Sequence, residues 1–201
     1  MSEERLQKLK EIALKCGNCE LCKTRKNLVF GDGFHDALIM FIGEGPGQKE
    51  DETGVPFVGR SGQLLRKMID AINIFEEDKY IANIVKCRPP NNRAPKKEEI
   101  EYCTKFLRKQ IEIIKPKLLV LLGKTAVTGL CPTFAKESVE RLRSKSKNLG
   151  MVTFEDIPAM VTYHPSALLR SPWRKVGAKE DFVFLQKNYV RLINERADAI
   201  F

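Results

Sequence analysis

Ala37-Leu38-Ile39-Met40-Phe41-Ile42-Gly43-Glu44-Gly45-Pro46-Gly47 is the stretch that decides the fold. From Ala37 to Gly43 it is apolar without a charged residue, which is how a strand buried on both faces reads, as in a parallel sheet. From Gly43 onward, glycine alternates with Glu44 and Pro46. Glycines directly after a strand let the backbone approach a ligand closely and turn N–H groups toward an anion. An ordinary tight βα turn has the same composition. The spacing is neither GxGxxG nor GxxxxGK[ST], so nothing supports a dinucleotide or nucleoside-triphosphate fold.

Working outward, three more β-branched apolar runs occur at Tyr80–Val85, Lys117–Gly123 and Ala159–His164. Helical patterns separate them at Ser61–Asn73, Lys96–Lys115 and Gly123–Leu130, with a final helix around Ala178–Arg196. Pro95 followed by Lys96-Lys97-Glu98-Glu99 marks a helix start, since proline in the first turn lacks only an N–H that has no partner there. Alternating strands and helices predict an α/β fold, a three-layer α/β/α sandwich around a central four-stranded parallel sheet with right-handed crossovers. The glycine turn then follows the first strand, Lys86-Cys87-Arg88 the second and His164-Pro165-Ser166 the fourth. Open parallel sheets bind ligands beyond the carboxyl ends of their strands, so these motifs converge on one crevice.

A chain of 201 residues suits one domain spanning 1–201. Its 35 basic and 26 acidic residues leave a net charge of +9, which favours a polyanionic partner. No apolar run reaches the roughly 18–20 residues that span a bilayer, so no membrane role is expected. MSEERLQKLKEIALKC is charged and helix-periodic, unlike a secretory signal. Cysteines in such a chain point to a reducing, cytoplasmic setting and to metal-bound or buried thiols.

Cys16 and Cys19 form a C-x-x-C, with Cys87 and Cys103 downstream. This spacing suits a metal centre stapling distant segments better than it suits disulfides, and zinc and iron–sulfur both fit it. Cys22 extends the run to C-x2-C-x2-C, but Lys26-Asn27 stands where a bacterial ferredoxin needs Cys-Pro. Cys131 reads as a small buried hydrophobe.

Phe57, within Gly54-Val55-Pro56-Phe57-Val58-Gly59, is either a stacking platform for a base or a loop anchor in the core. Asn83 ends a buried strand. Pointed into the crevice, its amide offers one donor and one acceptor, matching the 4-keto oxygen and N3–H of uracil and mismatching cytosine; otherwise it satisfies a neighbouring turn. His164 is placed to donate to negative charge developing on a leaving group, whereas His35 reads as a surface residue.

Together these residues resemble the family 4 uracil-DNA glycosylases, the iron–sulfur branch of the uracil-DNA glycosylase superfamily. The resemblance runs from Cys16 to about Arg170 and rests on GEGPG, GVPFVGRSGQLL, ANIVKCRPPNNR and YHPSALLR in that order, together with the four cysteines. It implies a [4Fe–4S] cluster held by Cys16, Cys19, Cys87 and Cys103, tying down the N-terminal helix and offering Lys86, Arg88 and Arg93 to phosphates. It implies that Gly43, Glu44 and Gly45 wrap the uracil and its water, that Phe57 stacks, that Asn83 recognises the base and that His164 donates to uracil O2. Glu44 and His164 are then the catalytic pair. Ser166 and Leu168 are implied to meet the DNA, Leu168 as a wedge in the duplex.

Two places depart from the superfamily's pattern. Gly45 stands where some members carry a water-activating aspartate, leaving Glu44 as the group that positions water. Gly47 stands where those members exclude thymine with a tyrosine, and Glu50 matches the glutamate that serves this family instead. A histidine-bearing loop that traps product covalently in a relative has no counterpart in Arg141–Lys147. The implied activity is monofunctional base excision repair: hydrolysis of the deoxyuridine N-glycosidic bond in single- or double-stranded DNA. The implied enzyme is a nucleoid-associated monomer, with replication or repair clamps as candidate partners. A non-catalytic nucleic-acid-binding module accounts for the charge and the cysteines, and an electron carrier for the cysteines alone.

Overall fold

The computed structural model describes residues 2–198. Four strands, β2 (Ile39–Gly43), β3 (Lys79–Asn83), β4 (Leu118–Leu122) and β6 (Ile157–Thr162), run parallel in the order β3-β2-β4-β6. Each residue of β2, β3 and β4 is buried, as uninterrupted apolar runs require. The sheet has six strands rather than the four expected: β1 (Asp32–Gly33) and β5 (Thr153–Phe154) add antiparallel edges beside β3 and β6. Two-residue strands carry no hydrophobic period, so the sequence pattern cannot register them.

The period of two sorts the core into two faces. Met40, Ile42, Ala82, Leu119, Leu121 and Val161 pack with α1 (Ser2–Leu14), α4 (Lys97–Ile114) and α5 (Lys124–Leu130). Ile39, Phe41, Ile81, Val120, Leu122 and Met160 pack with α3 (Arg60–Asp70) and α8 (Arg174–Asp198). The expected three layers are present. Shorter helices α2 (Gln48–Thr53), α6 (Val139–Ser146) and α7 (Pro165–Arg170) complete the fold. None of the described helices is long and apolar enough to cross a membrane.

Strand order fixes where a ligand sits. From β2 the chain moves to β3 on one side and then returns to β4 on the other, so the strand order reverses at β2. The loops leaving β2 and β4 therefore diverge and leave a crevice at their carboxyl ends.

Candidate active site

That crevice is a cavity of about 700 Å3 lined by Glu44, Gly45, Gly47, Glu50, Phe57, Asn83, Gly123, Thr125 and His164 among others. The size is in the ordinary range for a small-molecule site. Its floor is made by Asn83 at the end of β3 and by Phe57, respectively 2 % and 4 % exposed. Gly43 lets them meet: a Cβ there would lie 2.5 Å from both Asn83 Oδ1 and Phe57 Cζ. Asn83 Oδ1 is buried without a hydrogen-bond partner. Such an acceptor calls for a donor from whatever occupies the cavity.

Phe57 has a φ of 54°, a left-handed conformation unusual for a bulky residue. Its neighbours hold it there. The Glu50 carboxylate accepts hydrogen bonds from Val58 N (2.9 Å), Gly59 N (2.7 Å) and Gly47 N (3.1 Å), joining the glycine turn to the Phe57 loop. Arg66 donates to the carbonyls of Phe57 (3.2 Å) and Pro56 (3.3 Å) from α3. Glycine is also required at position 47, because a Cβ there would meet Glu50 Oε2 at 2.7 Å. The space that a larger side chain would claim belongs to the Glu50 carboxylate.

Across the reversal point, Thr125 Oγ1 donates to Glu44 Oε2, fixing one oxygen of a carboxylate on the cavity wall. His164 caps α7, and its Nδ1 accepts the Ser166 N–H at 3.2 Å, with Ser166 Oγ 2.9 Å away. An acceptor at Nδ1 places the proton of the neutral ring on Nε2. Burial above all, and then the Arg170 charge, bring the His164 pKa down to about 4. The neutral ring is therefore a donor through Nε2 at physiological pH. Its centre lies 6.0 Å from that of Phe57, with the planes 37° apart.

A second constellation lies behind β3. Cys16, Cys19, Cys22, Cys87 and Cys103 line one small cavity with Arg25, Leu28 and Phe106. Among the described residues no three His, Cys, Asp or Glu side chains close on a point that would hold a single ion. A multi-iron cluster needs sulfurs set around a volume instead. Burial pushes the Cys103 thiol up to about 12 and raises Cys19 and Cys87 as well, and a cation bound among them would favour their thiolate forms. Arg25 Nη1 donates to Cys87 Sγ (3.2 Å) and Lys86 N to Cys103 Sγ (3.1 Å). Donors to sulfur of this kind accompany iron–sulfur sites, and the residues present fit the group.

The family profile described as Uracil DNA glycosylase superfamily matches residues 30–186. The chain is 42 % identical over 180 residues to the type-4 uracil-DNA glycosylase of Sulfurisphaera tokodaii, covering 88 % of this chain and 81 % of that one. It is 45 % identical over 170 residues to the type-4 enzyme of Thermotoga maritima (84 % and 85 %) and 41 % over 168 to that of Pyrobaculum aerophilum (83 % and 86 %). The chain belongs to the uracil-DNA glycosylase superfamily. Within it, these relatives are type-4 uracil-DNA glycosylases.

For this superfamily member the structure gathers Gly43, Glu44, Gly45, Glu50, Phe57, Asn83, His164 and Ser166 around one cavity. Ser166 turns to His164 and so supports the ring. Arg88 is half-buried and donates to Asn92 Oδ1 at 2.8 Å. Two expectations change. Leu168 is 1 % exposed and packs with Tyr163 and Ala178, whereas Leu169 is 40 % exposed. Leu168 is thus no wedge, because the phase of α7 turns it inward. Lys86 is fully buried, donating to Asn83 O (3.0 Å) and Gln110 Oε1 (2.6 Å), so it offers nothing to a phosphate. Arg93, by contrast, keeps its place on the cavity wall, where it makes a two-pronged pair with Glu99 (2.8 and 2.6 Å). His35 is half-buried against Ser2 Oγ and does not line the cavity. Sequence reasoning missed Thr125, Arg66, Arg170 and Arg174; the one available signal was their spacing, Thr125 two residues after Gly123 and Arg66 within the helix that follows Phe57.

Proposed function

We propose that the protein is a monofunctional uracil-DNA glycosylase that extrudes deoxyuridine, hydrolyses its N-glycosidic bond and leaves an abasic site. The observation that carries this reading is Asn83 Oδ1, a buried acceptor without a partner on a floor shared with an aromatic ring. Uracil N3–H supplies the missing donor; cytosine, with a bare N3, does not. The unpaired acceptor makes rejection strong, since a wrong base leaves it unsatisfied.

Extrusion costs a few kcal/mol of stacking and pairing, offset by the Phe57 face and the Asn83 bonds. Glu50 shapes the glycine turn and occupies the side from which a thymine methyl is excluded. As the bond lengthens, the sugar becomes oxocarbenium-like and the uracil anionic. His164 Nε2–H and the N–H groups of the glycine turn stabilise that anion, at about 2.7–4 kcal/mol per donor by analogy with other preorganised sites. Glu44, oriented by Thr125, holds the water that adds to the sugar. Lys124 is the lysine among the described residues lining the cavity, and its ammonium donates to the Glu137 carbonyl rather than standing ready to form a Schiff base.

Cys16, Cys19, Cys87 and Cys103 would hold a [4Fe–4S] cluster, whose contribution is to cross-link the N-terminal segment, the stretch after β3 and α4. Iron and acid-labile sulfide in equal amounts, lost on Cys103→Ser, test it. Arg88 and Leu169 are assigned to the DNA-facing rim, with Leu169 in the wedge role.

The test of function is a labelled oligonucleotide with one deoxyuridine, opposite G, opposite A or single-stranded. Alkali-dependent cleavage at that position, absent with thymine there, is the expected result. Binding without base release by protein containing iron and sulfide would replace the enzyme with a binding module.

A further inference from the structure

Trp173 is the chain's one tryptophan and is 67 % exposed. Trp usually buries most of its large apolar surface. Its place is specific. It lies in the turn between α7 and α8, and Arg170 and Arg174 on either side of it line the cavity.

The turn is well held. Ser171 N donates to Ala167 O (2.9 Å), Arg174 N to Ser171 O (3.0 Å) and Lys175 N to Pro172 O (3.0 Å). The indole itself is braced from the core. The Arg174 guanidinium carbon lies 5.0 Å from the Trp173 ring centre and 5.2 Å from that of Tyr163. Tyr163 in turn has Arg143 at 4.3 Å from its ring centre, and Arg143 is fixed by Asp181 at 2.6 and 3.0 Å. Cation and ring thus alternate from a buried carboxylate out to the indole. Arg174 Nε is buried without a hydrogen-bond partner, so the guanidinium is placed by these rings and by Glu140 at 3.8 Å. The result is a preoriented, mostly uncovered aromatic surface between two arginines at the rim of the cavity.

We propose that Trp173 is a stacking platform for an unpaired base beside the extruded uridine. The inference rests on the reading of the cavity as a uracil site. An aromatic face accepts any base, and flanking arginines hold the adjoining phosphates, which is how single-stranded DNA is held without sequence preference. A paired base inside a duplex keeps its own neighbours and has less to gain, so the platform favours single-stranded substrate.

A lone tryptophan makes the test direct. A single-stranded oligothymidylate, which contains no uracil, should quench the emission and shield the indole from acrylamide, and a duplex of the same length should do so far less. Trp173→Ala should raise KM for single-stranded uracil DNA by about tenfold, the order of one lost base stack, with most of the loss in KM rather than kcat. Trp173→Phe, which keeps a ring, should recover most of it. Unchanged emission and acrylamide access at oligonucleotide concentrations where anisotropy shows binding would overturn the proposal and leave the indole to a protein partner. So would a Trp173→Ala protein with the parental KM. Quenching without uracil release would uphold the platform and discard the reading of the cavity, so the two fail separately.

Discussion

Gly43→Ala is the smallest perturbation that tests whether the uracil site works by close fit. The new methyl would sit 2.5 Å from both Asn83 Oδ1 and Phe57 Cζ, where ordinary contact begins at 3.4 Å. Something must move by about 0.9 Å, since repulsion rises steeply inside contact distance. The backbone at Gly43 needs no left-handed φ, so alanine adds no strain of its own. The neighbours have little freedom to yield. Asn83 is buried, and Phe57 is pinned at positive φ by Glu50 and Arg66. Overpacking of this kind costs about 1–3 kcal/mol, and in a chain of this length Tm falls by about 2–4 °C per kcal/mol. The fold survives, but a displacement near 1 Å in the site costs about 10²-fold in rate. The assay is single-turnover uracil release from a single-stranded oligonucleotide, well below Tm. A rate within threefold of the parent would refute the reasoning, because the contacts that define the floor would then not matter.

Asn83→Ala should reduce uracil release by at least about 10²–10³-fold, the order for one lost preorganised donor, while lowering Tm less than other buried truncations, because it also removes an unpaired acceptor; single-turnover kinetics and thermal melts on one preparation read both. His164 should leave the rate flat as pH falls through 6.5, with an acid limb only near 4, because its folded pKa is about 4. An unfolded histidine takes its proton near about 6.5, so between those values the unfolded chain binds the extra proton and the fold weakens as pH falls; a limb at 6.5, absent from His164→Gln, would contradict the neutral-donor assignment. Leu168→Ala should destabilise by about 2–5 kcal/mol as a core truncation. Leu169→Ala should change stability by no more than about 0.5 kcal/mol and reduce activity on duplex more than on single strands.

The four parallel strands were legible because strands covered on both faces leave long apolar runs, and these set the crevice before any side chain is placed. What escaped the pattern escaped for physical reasons. The sequence of α2, Gln48-Lys49-Glu50-Asp51-Glu52-Thr53, has no apolar stripe; its buried residues are Glu50 and Asp51. Their burial answers backbone N–H groups of other loops, as Glu50 does for Val58 and Gly59 and Asp51 for Lys26. Leu168 and Leu169 are chemically identical, and only the helical phase set by the His164 cap decides which one faces the core. Lys86 was expected at a phosphate because the segment around Cys87 is basic, yet polar partners at Asn83 and Gln110 hold it inside.

Burying that lysine is costly: burial, opposed by the neighbouring Cys103, brings its pKa down to about 7. The interactions it makes explain its place. Its backbone N–H meets Cys103 Sγ, and its ammonium joins the carbonyl of Asn83 to Gln110, on the same helix, α4, as Cys103. Gln110 also donates to Phe30 O and Tyr80 Oη, reaching the sheet on which Asn83 sits. The helix that carries Cys103 and the strand end that carries Asn83 are thus one hydrogen-bonded unit. A recognition site whose discrimination rests on an unpaired acceptor must hold that acceptor still, because a mobile amide would find another partner and the penalty for the wrong base would vanish. Order at the cysteine cavity therefore reaches the main chain at Asn83, and under the proposed reading a cluster there would contribute to specificity by steadying the strand end that carries the amide.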